Sequence, residues 1–302
     1  MALGSASGPS RRAGELRSGF VKVGSLRLHH TFGGRGLPPV VFVHGLGSSG
    51  YIEWRFNLPH AAGFRKVLAP DLPGFGKSEK PPLSYGVPLF ARTLEGYLRS
   101  LRIRSAVLVG ASLGGRVVLE LSVRRPELVS KVVLVNSLGL GRPNLRIAYP
   151  LVTLPRIGEA LMGLLRTGLN RSSGDSIRRL ARRYMGGSQD FERTMDDGYL
   201  SDLRDLHQAE GYHRAYLATV RSLARPGALA PGQDLVSRLR RTGLPVLLIW
   251  GAEDPLFPLE HATRAHRDLP GSRLAVIEGA GHTPQAERPD EFNRVLRSFL
   301  AD

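Results

Sequence analysis

The chain has 302 residues, 42% of them hydrophobic and 23% charged, a balance that excludes global disorder and allows one large core or a core domain carrying an insertion. It contains no cysteine, which excludes disulfides, thiolate metal sites and cysteine nucleophiles and fits a reducing compartment. Forty-two basic against 26 acidic residues give a net charge of +16, but the excess is arginine scattered along the chain, in pairs such as Arg11-Arg12, Arg124-Arg125 and Arg182-Arg183. No basic block is interleaved with stacking aromatics, so nucleic acid is not an expected partner.

Residues 1–18 are rich in Gly, Ser, Ala and Arg and lack a continuous apolar segment, so they read as a flexible tail and a poor secretory signal. No apolar run is long enough to cross a bilayer, and a soluble, cytoplasmic protein without integral membrane association is expected. Alternating residues from Phe20 to Val23 and from Leu26 to Thr31 predict a half-exposed hairpin. Pro39 to Val43 then reads as a buried strand that runs into the glycine loop His44-Gly45-Leu46-Gly47-Ser48-Ser49-Gly50, the kind of strand end at which open α/β sheets bind ligands. The loop lacks both the phosphate-loop pattern and the dinucleotide fingerprint.

Lys66 to Ala69 predicts a strand, Pro88 to Leu101 an amphipathic helix, Ala106 to Val109 a strand, Leu113 to Val123 a helix and Lys131 to Val135 a strand. This alternation predicts a parallel sheet in an α/β domain. From Leu140 to Val236 buried strand runs stop and helical stretches rich in Arg, Leu and Tyr take over, the clearest from Gly211 to Leu223 with Tyr212, Tyr216, Val220 and Leu223 on one face. The α/β rhythm resumes with a strand at Pro245 to Trp250, a helix at Leu259 to Leu269, a strand at Arg273 to Glu278 and a helix at Pro284 to Leu300. The chain thus divides into a tail (1–18), a core domain (19–139 and 237–302) and a helical cap (140–236).

Three strand ends carry chemistry. Gly110-Ala111-Ser112-Leu113-Gly114 places a serine between a strand and a helix, in the G-x-S-x-G turn that exposes a nucleophile while small neighbours let strand and helix approach. Asp254 and His282 each follow a predicted strand and project at the same edge of the sheet. A serine hydroxyl is a weak nucleophile until an imidazole takes its proton and a carboxylate orients that imidazole, so Ser112, His282 and Asp254 are the candidate catalytic residues. Glu253 is the competing acid; alternation along the turn lets only one of the two face the histidine. His44 precedes the glycine loop and is expected to pack beneath it. The backbone N–H of Leu113, at a helix N-terminus, and that of Leu46 are the expected oxyanion donors, each worth about 3 kcal/mol. Gly45, Leu46 and Leu113 are the expected substrate-binding positions. No spacing makes a metal site.

Together with Asp71-Leu72-Pro73-Gly74-Phe75-Gly76-Lys77-Ser78 and Gly281-His282-Thr283-Pro284, these motifs resemble the α/β-hydrolase superfamily over nearly everything after residue 20 except the cap. The resemblance implies an eight-stranded, mostly parallel sheet flanked by helices, a cap inserted after the sixth strand, and no cofactor. It implies an esterase or lipase-like serine hydrolase that cleaves carboxylic esters of a small-molecule acyl substrate through an acyl-enzyme. Dehalogenases and epoxide hydrolases similar in fold use aspartate where this chain has Ser112. Carbon–carbon bond hydrolases of ring-fission products share the cap and triad, but many carry tryptophan where Thr283 stands. Cofactor-free perhydrolases and triad-retaining ligand receptors remain alternatives, as do monomer and homodimer.

Overall fold

A computed structural model describes residues 15–144, 148–181, 194–225 and 233–302. Most of the expected tail and the pairs Arg11-Arg12 and Arg182-Arg183 lie outside the described residues.

Strands β1 (Leu16–Val23), β2 (Leu26–Gly33), β3 (Val40–Val43), β4 (Val67–Pro70), β5 (Ala106–Ala111), β6 (Val129–Val135), β7 (Val246–Gly251) and β8 (Arg273–Ile277) form one sheet in the order β1-β2-β4-β3-β5-β6-β7-β8. Pairings β1–β2 and β2–β4 are antiparallel and the rest are parallel. This is the expected eight-stranded, mostly parallel α/β sheet. Strand β1 begins at Leu16, inside the stretch read as tail, because pairing with β2 extends to Gly33.

Both faces of the central strands are covered, which is why they read as apolar runs rather than alternating ones. Val41 and Val43 join one buried cluster with Val117, Val118 and Leu121 of helix α4 (Leu113–Arg124). Val40 and Phe42 face the other cluster, with Trp54 and Phe292. Trp54 closes α1 (Gly50–Trp54), which with α2 (Leu58–Ala62) fills a stretch where the sequence reading placed no element; each helix is five residues, too short for a periodic pattern. Helix α3 (Val87–Ser100) packs on α4.

Helices α5 (Ala148–Thr153), α6 (Ile157–Arg171), α7 (Gly174–Ala181), α8 (Asp197–Gln208) and α9 (Tyr212–Leu223) lie between β6 and β7. The expected boundary at Val236 falls inside α10 (Gln233–Thr242), which packs against α4. After β7 come α11 (Glu260–Asp268) and, past β8, not one C-terminal helix but two, α12 (Pro284–Glu287) and α13 (Pro289–Ala301). Pro289 has no N–H and disfavours helical geometry in the residue before it, and Arg288 accordingly sits at φ −137°, ψ 60°. None of the described helices is long and apolar enough to cross a membrane.

Candidate active site

Ser112 stands between β5 and α4 with φ 51° and ψ −116°, a positive φ that a non-glycine residue adopts only under constraint. Its N–H donates to the Val135 carbonyl at 3.0 Å and its carbonyl accepts from Leu138 N at 3.0 Å, so strand β6 and the loop after it hold the turn. The flanking glycines are required by contact. A Cβ on Gly114 would lie 2.2 Å from the Val43 carbonyl oxygen, and one on Gly110 would lie 2.5 Å from that of Gly114. The loop after β3 packs tightly as well, since a Cβ on Gly45 would stand 3.3 Å from Ser112 Cβ.

Asp254 and His282 meet at the same edge. His282 Nδ1 lies 2.9 Å from Asp254 Oδ2; an ionised carboxylate only accepts, so Nδ1 carries the proton and Nε2 is left as a base. Asp254 is buried, and its other oxygen accepts from Leu256 N at 2.8 Å and Phe257 N at 3.1 Å. Glu253, the competitor, is exposed. Among the described residues Ser112 Oγ makes no hydrogen bond, so the serine and histidine share the edge without the contact being closed; such bonds are often long before substrate arrives.

Two positioning residues escaped the sequence reading. Asn136, fully buried just past β6, donates from Nδ2 to Asp254 Oδ2 at 2.5 Å and to the Gly281 carbonyl at 3.0 Å, and its Oδ1 accepts from Gly251 N at 2.9 Å. It ties the acid, the histidine loop and the end of β7 together. Glu287, also fully buried, accepts from Gly281 N at 2.8 Å through Oε2, and from Thr283 N at 2.8 Å and Thr283 Oγ1 at 2.9 Å through Oε1, fixing both flanks of His282. The available signal for Asn136 was its place as a polar residue ending an apolar strand run; nothing local marked Glu287.

His44 does pack beneath its loop. Its Nε2 accepts from Leu72 N at 2.9 Å, so Nδ1 holds the proton and donates to the Gly45 carbonyl at 2.7 Å. Burial pushes its pKa down and keeps the ring neutral. With the Gly45 carbonyl turned toward His44, the N–H of Leu46 on the far side of that trans peptide points the opposite way. Gly47, at φ 78°, lies under α9: its carbonyl accepts from Tyr212 Oη at 3.1 Å, and a Cβ there would meet the Tyr216 ring at 3.1 Å. Two arginines of the helical insert are engaged on its surface, Arg178 with Asp175 and Asp197, Arg221 with Glu159. A cavity of about 510 Å³ opens between α8 and the loop around Lys77, and none of Ser112, Asp254 or His282 lines it. Among the described residues no three His, Asp or Glu side chains converge as a metal site.

The same arrangement of elements recurs in known proteins. Residues 40–295 match the model of the alpha/beta hydrolase family. The chain is 31% identical to an uncharacterized hydrolase, YugF, of Bacillus subtilis, over 88% of this chain and 90% of that one. It is also 31% identical to the 2-hydroxymuconate semialdehyde hydrolase of a Pseudomonas strain, over 87% of each. Among solved structures, a serine hydrolase involved in carbazole degradation superposes with a TM-score of 0.77 at 25% identity, covering 95% of this chain and 99% of that one. With the sheet order, the turn at Ser112 and a family match spanning most of the core, the chain belongs to the alpha/beta hydrolase family.

Proposed function

We propose that the chain is a serine hydrolase that cleaves carboxylic esters through an acyl-enzyme. The observation that carries this reading is the buried Asp254 carboxylate holding His282 in its Nδ1–H form, at the sheet edge where Ser112 sits in a strained turn. Nε2 of His282 takes the hydroxyl proton as Ser112 Oγ attacks the ester carbonyl. The N–H groups of Leu46 and Leu113 meet the charge that develops on the carbonyl oxygen, and Asp254 stabilises the imidazolium. His282 then protonates the departing alcohol, and water deprotonated by the same imidazole releases the acid and regenerates Ser112.

In this reading the helices from α5 to α9 act as the cap, which sets the acyl and alcohol groups admitted, and Gly45, Leu46 and Leu113 contact the substrate. Tyr212 and Tyr216 supply its aromatic wall above Gly47. A second reading is favoured by the relatives named for 2-hydroxymuconate semialdehyde and a related dienoic acid: the same residues would cleave a carbon–carbon bond next to a carbonyl group. Both use Ser112, so the substrate decides between them.

The test is turnover of short-chain p-nitrophenyl esters in parallel with loss of the absorbance of 2-hydroxymuconate semialdehyde, by the wild type and by Ser112→Ala. Ester turnover that falls about a thousandfold or more in the variant is the expected result. Equal ester activity in the two proteins would refute the assignment, and preferred consumption of the dienoate would replace the ester reading with the second one. Saturable ligand binding with neither turnover would make the protein a receptor.

A further inference from the structure

Six large aliphatic side chains of the helical insert are exposed: Leu151, Leu154, Ile157, Leu161, Leu164 and Leu165. On α6 the spacing Ile157, Leu161, Leu164 and Leu165 puts four of them on a single stripe, while Gly158, Met162 and Leu169 face inward. Leu164 is 70% exposed, and an exposed apolar stripe of this kind marks an interaction surface. Its rim is basic. Arg156 and Arg171 are exposed beside it, and Glu159, the one acid between Ala148 and Arg171, is held by Arg221 at 2.8 and 3.0 Å.

We infer that this face docks the protein on an anionic membrane surface, with α6 lying in the plane of the interface. An amphipathic helix with leucines on one side and arginines on its border buries its apolar stripe about 5–10 Å deep among headgroups and gains from anionic lipid. A second copy of the chain fits the face poorly. A twofold contact would set the same basic rim against itself, between two bodies that each carry +16, with the one acid of that stretch, Glu159, already paired to Arg221. Docking is peripheral, since α6 has 15 residues and none of the described helices can span a bilayer. The inference goes beyond the hydrolytic reading and does not depend on it.

The experiment is vesicle flotation of the full chain with phosphatidylcholine vesicles and with vesicles of equal parts phosphatidylcholine and phosphatidylglycerol, at low and high salt, for the wild type and a Leu161→Asp, Leu164→Asp variant. Both leucines are exposed, so the variant's melting temperature in the absence of lipid serves as the check on folding. Expected is wild-type binding to the anionic vesicles, weaker on neutral vesicles and at high salt, and lowered about tenfold or more in the variant. No wild-type binding, equal binding by the variant, or equal binding to neutral vesicles overturns the inference. A lipid-free dimer that the variant dissociates, without vesicle binding, also overturns it and gives the face to a second copy.

Discussion

Asn136 is a fully buried residue bonded to Asp254, to the loop of His282 and to the end of β7. Its amide joins three elements, and replacing it with alanine leaves the Gly251 N–H and one side of the buried Asp254 carboxylate short of partners. We expect Asn136→Ala to cost about 1–3 kcal/mol of stability. Because Asp254 would then be free to rotate away from His282, it should also lower kcat on p-nitrophenyl esters about tenfold or more while KM changes little. A variant that is only less stable, with unaltered kcat below its melting temperature, would show that the amide holds the fold and does nothing for the site. Alternation along the turn after β7 was legible from sequence, and of the two acids there Asp254 is the buried one that meets His282 while Glu253 is exposed. Asn136 and Glu287 were not legible, because their partners lie 118 and 6 residues away respectively and are joined only by the folded sheet edge and the turn into α12.

At the scale of elements, the strands were the most readable part of the chain. Burial on both faces writes an apolar run directly into Pro39 to Val43, Ala106 to Val109 and Pro245 to Trp250, whereas the short α1 and α2 leave no periodic trace and the break at Pro289 interrupts an otherwise continuous helical stripe. The glycines at the junction of β5 and α4 were legible as a motif, and the structure supplies the reason. Helix α4 approaches β3 so closely that Gly114→Ala would drive a methyl to within 2.2 Å of the Val43 carbonyl oxygen, which is backbone and has nowhere to go. That variant is expected to lose about 3 kcal/mol or more, read as a lowered melting temperature or as insoluble expression. Gly163 is its counterexample: on α6 an added Cβ meets nothing within 4 Å, so Gly163→Ala should raise stability by about 0.5–1 kcal/mol through helix propensity alone. If both substitutions proved neutral, the tight junction at Ser112 would not be what holds α4 on the sheet.

Across the whole molecule the buried histidines couple the fold to pH, and no sequence pattern exposed this, because burial is a property of the assembled structure. Burial, with His29 beside it, lowers the His30 pKa from 6.5 to about 4, although Asp71 pulls the other way; its ring also lies 2.6 Å from Tyr97 Oη. In the helical insert, burial and then His213 lower His207 to about 4. Burial also lowers His44. Each of these rings stays neutral in the folded chain at a pH where it would already be protonated in the unfolded one. The unfolded state therefore binds more protons between about pH 6.5 and about pH 4, and folding stability rises with pH across that window. The contribution is fully present above about 6.5 and is lost as the pH falls toward 4, where the folded rings also take up protons. The melting temperature is thus expected to drop by about 5 °C or more between those limits. Carboxylates that lose ion pairs contribute in the same direction at the acid end, so the decisive comparison is the slope in a His30→Gln, His207→Gln variant. Substitution of two rings that refuse protons in the core should flatten the upper part of the curve, whatever it does to stability at neutral pH. An unchanged slope in the variant would mean that these histidines are protonated in the fold, and that the acid sensitivity belongs to other groups.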